Sequence, residues 1–156
     1  MKKKVKKKNL LVVVGKSMIF RHEANEEHNE ITVAKVQYAI PMSNITLALF
    51  PEVLAQVKKM STGFPEADIS FNYNHNSPAF LFTCKGMTER RGDDTPNQEL
   101  GDKIALAKCE IQACKIGRKI MATISKVLKE EAEYALSVSE FYGNQVNRGL
   151  SYIQKQ

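Results

Sequence analysis

The chain has 156 residues and a mass of 17.6 kDa, and 43% of its residues are hydrophobic, which predicts one domain with a single core. It carries 23 basic and 17 acidic residues, and six of the lysines lie within the first eight positions, so the rest of the chain is electrically balanced. No run of apolar residues is long enough to span a membrane. The three cysteines have no CxxC or metal-finger spacing, which argues against a disulfide framework and favours a reducing compartment.

Residues 1–8 are predicted to be a disordered basic arm, because "KKKVKKK" repels itself and contains no acidic partner. Its lysines are Lys2, Lys3, Lys4, Lys6, Lys7 and Lys8. The apolar stretch that follows is shorter than the hydrophobic region of a secretory signal, and charge returns at Lys16. A secretion signal is therefore not predicted, and the cytoplasm is the expected location.

Residues 9–94 are predicted to be rich in β-structure, with one short helix. The segments "NLLVVVGKSMIF" and "EITVAKVQYAIP" are rich in β-branched residues and flank the polar "RHEANEEHN", which predicts a hairpin with a long exposed loop. A second hairpin is predicted from "ADISFNY" and "AFLFTCK", which flank a run of turn formers. Between the hairpins, Pro51 and Gly63 favour a helix running to about Met60, preceded at 45–50 by a short strand or by the approach to that helix.

A long helical segment is predicted for residues 95–142, followed by a C-terminal extension at 143–156. Thr95 and Gln98 form a capping-box pattern, and no proline follows Pro96. An unbroken helix of this length would span roughly 70 Å. The segment is therefore predicted either to break, at Gly117 or in "KEEAE", or to project and find a partner.

The predicted fold class is α+β, with an antiparallel sheet built from two β-hairpins and a long C-terminal helical segment that is broken or forms a coiled coil. A seam for helix packing is predicted at heptad spacing, comprising Ile120, Ile124, Val127, Tyr134, Val138 and Phe141. An earlier set with the same rhythm lies on another phase, so the apolar face is predicted to rotate near Gly117; this set is Leu100, Ile104, Ala107, Ile111 and Cys114. Two arrangements stay open. Either the first part covers the sheet and the second packs on another helix of the same chain, or the helix forms a dimeric or trimeric coiled coil.

A stripe of lysines is predicted along the same helix. At about 100° per residue, Lys108, Lys115, Lys119 and Lys126 fall within roughly 20° of one line. Positive charge segregated in this way favours contact with phosphates without sequence selectivity, because neutralised phosphates release counterions. The alternative is an ordinary solvated helix face.

The residue types that usually perform catalysis do not form a recognisable pattern. The three histidines, His22, His28 and His75, share no metal-ligand spacing with each other or with a cysteine. Asp93 and Asp94 are explained by the helix start, and Cys84 lies in a predicted strand with no histidine near it in sequence. No catalytic residue, cofactor or metal site is therefore predicted, and the chain is not predicted to be an enzyme.

One segment resembles a known group of proteins. The strand "FLFTCKG" leading to "GDDTPNQELGDKIALAK" resembles a strand-then-helix module in small uncharacterised proteins of tailed bacteriophages and prophages. The matching positions are Asp93, Asp94, Thr95, Gly101, Ala105, Ala107 and Lys108, within about 25 residues. Pro96 stands where such proteins often have an aromatic residue. The resemblance implies a mobile-element origin, and with it the cytoplasm of a bacterial host, but no activity.

Two functions are predicted from these features. The first is a non-enzymatic accessory protein of a phage or mobile element that binds nucleic acid nonspecifically through the basic arm and the lysine stripe; an acidic protein surface is the other partner that such charge fits. The second is an oligomerising protein-interaction module, a virion component or an inhibitor of a host defence protein, which acts through the heptad helix and forms a homo-oligomer.

Overall fold

The computed structural model describes residues 11–27, 29–73, 78–90 and 97–156. Within these ranges an antiparallel sheet of five strands packs against a long C-terminal helix, which confirms the predicted α+β class. The predicted basic arm, the capping residue Thr95 and the aspartates at 93 and 94 lie outside the described residues.

The sheet has two long central strands and three short outer ones. Its strands are β1 (Val12–Val13), β2 (Ile19–Ala24), β3 (Glu30–Pro41), β4 (Ser70–Asn72) and β5 (Ala79–Arg90). Their order is β1-β3-β5-β4, and β2 also pairs with β3, on the edge that β1 occupies. The pairs β2–β3 and β4–β5 correspond to the two predicted hairpins.

The first hairpin has a shorter turn than its sequence predicts. Residues 21–24, assigned to the loop because they are polar, continue β2 and pair with β3, with Arg21 opposite Val33 and Ala24 opposite Glu30. Polar side chains are tolerated there because β2 is an outer strand whose residues are mostly exposed.

One face of the sheet is covered by helices. Alternate residues of the central strands point to this face and are buried, among them Ala34, Val36 and Tyr38 on β3 and Phe82 and Cys84 on β5. The residues between them are exposed or half-buried. The single core therefore lies between this face and the helical layer.

Three helices follow from local sequence signals. They are α1 (Asn44–Ala48), α2 (Phe50–Ser61) and α3 (Gln98–Gln154), with a short 3-10 turn at Pro65–Ala67. Pro51 lies in the first turn of α2, as predicted, and α2 contributes Val53 and Val57 to the core. The strand considered at 45–50 is absent from the described residues, because Ser43 caps α1 instead, its hydroxyl accepting a hydrogen bond from the Thr46 amide at 3.3 Å.

The long helix is unbroken over 57 residues, about 86 Å at 1.5 Å per residue. Predicted breaks at Gly117 and in "KEEAE" are wrong, and the predicted extension at 143–156 is helical to Gln154. The capping residue of α3 is Asn97, whose side-chain oxygen accepts a hydrogen bond from the Leu100 amide at 3.0 Å, whereas the cap predicted at Thr95 lies outside the described residues. With no proline after Pro96, nothing removes a helical hydrogen bond.

The helix packs on the sheet through small residues at its start and larger ones further on. Its buried residues are Ala105, Cys109, Ala113, Ile116, Ile120, Ile124 and Val127. The predicted rotation of the apolar face is wrong, since the set running from Leu100 to Cys114 lies exposed on the outer side. The reason is a close approach at β5: a Cβ atom added to Gly86 would lie 1.9 Å from the Ala105 carbonyl oxygen, which leaves room only for small side chains.

Candidate functional site

The second half of α3 extends beyond the rest of the protein. From Lys129 to Gln156 every residue is exposed except Val138, which is half-buried. The predicted seam is therefore divided: Ile120, Ile124 and Val127 lie in the core, whereas Tyr134, Val138 and Phe141 lie beyond it. The prediction that this second part packs on another helix of the same chain is wrong for the described residues. We call residues 129–154 the projecting segment.

The apolar face of the projecting segment continues the face that covers the sheet. At about 100° per residue, the seven buried residues of α3 occupy a sector of the helix roughly 100° wide. Tyr134, Val138 and Phe141 fall within the same sector. Tyr134 and Phe141 expose 68% and 56% of their surface. The stripe that binds the sheet thus continues past the sheet with nothing in the described chain covering it.

Further apolar side chains widen this stripe to about half of the helix circumference. They are Tyr142, Val146, Leu150, Tyr152 and Ile153, each at least 53% exposed, whereas the exposed Leu136 lies about 40° outside this half. The opposite half carries polar residues, among them Ser137, Glu140, Asn144 and Asn147. Most helical stability in proteins comes from packing of the apolar face, which is exposed in the projecting segment, and Gly143 and Gly149 weaken the helix further, each by about 1 kcal/mol relative to alanine. A partner that covers the apolar half would therefore stabilise the helix.

The four lysines of the predicted stripe differ in the contacts that their side chains make. Lys108 donates a hydrogen bond from Nζ to the Met87 carbonyl oxygen at 2.6 Å, which fastens the helix to β5. Lys126 Nζ lies 3.9 Å from Glu130 Oε1. Lys115 and Lys119 are exposed and make no ion pair within the described residues. Of the four lysines only Lys126 therefore has an acidic neighbour within the described residues, and Lys115 and Lys119 are the two whose ammonium groups make no hydrogen bond or ion pair there.

A cleft that the sequence analysis missed lies where the sheet meets the start of α3. It has a volume of about 790 Å³ and is lined by the ends of β2, β3 and β5 and by the first two turns of the helix. Arg90 spans one wall and makes a two-pronged ion pair with Glu30, at 2.8 and 3.0 Å. The Arg90 hydrogen bond and charge hold the pKa of the Glu30 carboxyl below its usual value.

A histidine and an aspartate meet beside this cleft. His22 Nε2 lies 3.5 Å from Asp102 Oδ1, and His22 Nδ1 lies 3.3 Å from the Thr32 hydroxyl. Asp102 Oδ1 is shielded from solvent and makes no hydrogen bond within the described residues. No sequence signal pairs His22 with a residue 80 positions away, because only the pairing of β2 with β3 and the packing of α3 bring them together.

This polar cluster lacks the geometry of a hydrolytic site. Thr32 is only 8% exposed, and a Cβ atom on Gly101 would lie 3.1 Å from its hydroxyl, so the helix blocks approach to that oxygen. Cys84 is fully buried away from the cleft, and burial raises the pKa of its thiol to about 12. A thiol with that pKa is protonated at neutral pH and is a poor nucleophile. These contacts are accounted for by the packing of α3 against the sheet.

No group of three or more histidine, cysteine, aspartate or glutamate side chains among the described residues is arranged to hold a metal ion. None of the described helices combines the length and the apolar character needed to cross a membrane.

The residues of the phage-like module lie at the start of α3. Gly101 and Ala105 allow the helix to approach β3 and β5 closely, and Lys108 is bonded to β5, so these three matching positions have packing roles. Ala107 is exposed, and the other three matching positions, Asp93 to Thr95, lie outside the described residues. Comparison with protein-family models, curated proteins and solved structures finds no match to this chain, and the resemblance stays a prediction.

Proposed function

We propose that this protein is an oligomerising protein-interaction module whose working surface is the apolar half of the projecting segment. The observation that supports this function is the continuity of the stripe: the same sector of α3 that buries Ile120 and Ile124 against the core carries Tyr134 and Phe141 into solvent. Contiguous exposed apolar surface of this extent is typical of a binding site. A helix with one apolar face docks readily along another helix.

The proposal predicts that the protein associates and that three side chains control the association. We expect size-exclusion chromatography with light scattering to give at least twice the 17.6 kDa of one chain. The triple substitution Tyr134→Ala, Val138→Ala and Phe141→Ala should return the protein to a monomer, because it removes apolar contact area while alanine preserves the helix. A wild-type protein that is monomeric at high concentration would exclude this function.

The matched control is a triple substitution on the polar half of the same segment. Ser137→Ala, Asn144→Ala and Asn147→Ala change a similar number of exposed positions and leave the apolar half intact. This variant should keep the wild-type mass. Both variants should keep the cooperative unfolding transition of the core in chemical denaturation, since neither touches a buried residue.

We propose nonspecific nucleic-acid binding as a second function, favoured by Lys115 and Lys119. Replacing both with glutamine should weaken binding to a DNA duplex and lower the slope of log affinity against log salt by about 2, since each lysine neutralises one phosphate. Fluorescence anisotropy over a salt series measures both quantities. The control is Lys58→Gln with Lys59→Gln on α2, which removes the same charge elsewhere. An unchanged slope for the Lys115 and Lys119 variant would contradict binding through this face.

The biological setting follows from the phage resemblance alone. In that setting the interaction module is a virion component or an inhibitor of a host defence protein, acting in the bacterial cytoplasm. The basic arm, with Lys2 to Lys8, would add affinity for nucleic acid or for an acidic protein surface.

A further inference from the structure

The projecting segment continues the 4-3 spacing of the core residues, and the resulting seam contains one acid and one base. The seam positions from the edge of the core outward are Val127, Glu131, Tyr134, Val138, Phe141, Gln145, Arg148 and Tyr152. Its midpoint falls between Val138 and Phe141. Glu131 is the third seam position before the midpoint and Arg148 is the third after it. Neither makes an ion pair within the described residues.

This symmetry matters when two copies of the seam face each other. In an antiparallel pair centred on the midpoint, Glu131 of each copy lies opposite Arg148 of the other. Each dimer therefore contains two Glu131–Arg148 ion pairs. Val138 then faces Phe141, and Tyr134 faces Gln145, whose amide can hydrogen-bond to the tyrosine hydroxyl. In a parallel pair each glutamate would meet a glutamate and each arginine an arginine, which disfavours that orientation.

The position of the sheet leads to the same orientation. The seam points to the side of α3 on which the sheet lies, because it occupies the same sector as the residues buried against the sheet. Two helices that run parallel and meet through this side would direct both sheets into the same space. In an antiparallel pair the two sheets lie at opposite ends of the paired segments and do not meet.

We infer that the partner of the projecting segment is a second copy of this chain, paired antiparallel between Glu131 and Arg148. This inference rests on the proposed function and specifies the occupant of its surface. The paired stretch covers 18 residues, about 27 Å of helix. It stops at Arg148 because the next seam position, Tyr152, would lie opposite Val127 of the other copy, which is already buried in its own core.

Disulfide trapping tests the orientation. In a Cys114→Ser background, which removes the one exposed native thiol, Tyr134→Cys and Gln145→Cys chains are prepared separately and mixed in a glutathione buffer. The antiparallel pair brings positions 134 and 145 of different copies together, whereas two copies of position 134 lie about 16 Å apart along the helix, beyond disulfide reach. We expect the mixed dimer only, identified by mass spectrometry.

The other results of trapping overturn the inference. Disulfides within the Tyr134→Cys sample alone would show a parallel pair, and the absence of any disulfide would show a different register or partner. If light scattering still gives a dimer in either case, the proposed function survives and only the orientation fails. A monomer by light scattering removes the function itself.

A charge exchange provides an independent measurement. Glu131→Arg places two arginines opposite each other and should raise the dimer Kd at least about tenfold in the antiparallel pair. Adding Arg148→Glu restores opposite charges and should return the Kd to near the wild-type value. A matched control, Glu140→Arg on the polar half, should leave the Kd within about twofold. Failure of the double exchange to rescue dimerisation would contradict the Glu131–Arg148 contact.

Discussion

Replacing Gly86 with alanine is expected to lower the free energy of unfolding by about 3 kcal/mol or more. A Cβ atom at this position would lie 1.9 Å from the Ala105 carbonyl oxygen and 3.0 Å from the Cys109 backbone nitrogen. Both atoms belong to the helix backbone, so no side-chain rotation relieves the contact, and α3 must move away from β5. Chemical denaturation followed by circular dichroism measures the loss.

The same substitution at Gly143 is not expected to lower the free energy of unfolding. No atom lies within 4 Å of a Cβ atom there, and the residue sits inside a helix, where alanine is favoured over glycine by about 1 kcal/mol. Gly143→Ala should therefore increase helix content without lowering the free energy of unfolding. If Gly86→Ala were as stable as the wild type, the close contact between α3 and β5 would be refuted.

Ile116→Ala is expected to lower the free energy of unfolding by about 2–5 kcal/mol. This is the range measured when a buried isoleucine or leucine is truncated and leaves a cavity. Ile116 is completely buried between α3 and the sheet. Thermal and denaturant unfolding of the variant give the change in stability directly.

Ile111→Ala, on the outer side of the same helix, is the matched control. Ile111 is 56% exposed, and alanine is a better helix former than isoleucine, so this change should stay within about 0.5 kcal/mol of the wild type. Equal losses at both positions would mean that the outer stripe is also buried, for example under a partner.

The predictable part of the fold came from patterns that single segments carry. Richness in β-branched residues indicated the strands of the first hairpin, and a run of turn formers indicated the second. Pro51 indicated the start of α2, since proline is tolerated where the helix has no hydrogen bond to lose. The helical composition after residue 95 predicted a long helix, and its length predicted that the helix would either break or project beyond a domain of this size.

The unpredicted part depends on contacts between segments distant in sequence. Large apolar residues at Leu100, Ile104 and Ile111 define the clearest stripe on the first half of α3, yet Ala105, Cys109 and Ala113 form the buried face. The close approach of the β5 backbone at Gly86 determines which face of α3 packs on the sheet. The sequence of the helix alone contains no information about this approach. The meeting of His22 with Asp102 is hidden for the same reason.

The sequence predicted which residues form the candidate surface but not where they lie relative to the sheet. Heptad spacing identified Tyr134, Val138 and Phe141 together with Ile120, Ile124 and Val127, but spacing alone does not distinguish a residue on the sheet from one beyond its edge. The lysine stripe was likewise visible as a pattern, while the contact of Lys108 with Met87 depends on the distance between helix and strand.

The two halves of the unbroken helix α3 are subject to different constraints on their side chains. Up to Leu128 each inward side chain packs in the core against the sheet or α2, so substitutions there affect the whole fold. Beyond Leu128 a side chain is constrained only by helix propensity and by contacts with any surface that packs alongside the helix. The outer turns can therefore be changed while the β-sheet remains intact, which makes this protein a suitable scaffold for engineered helix pairing.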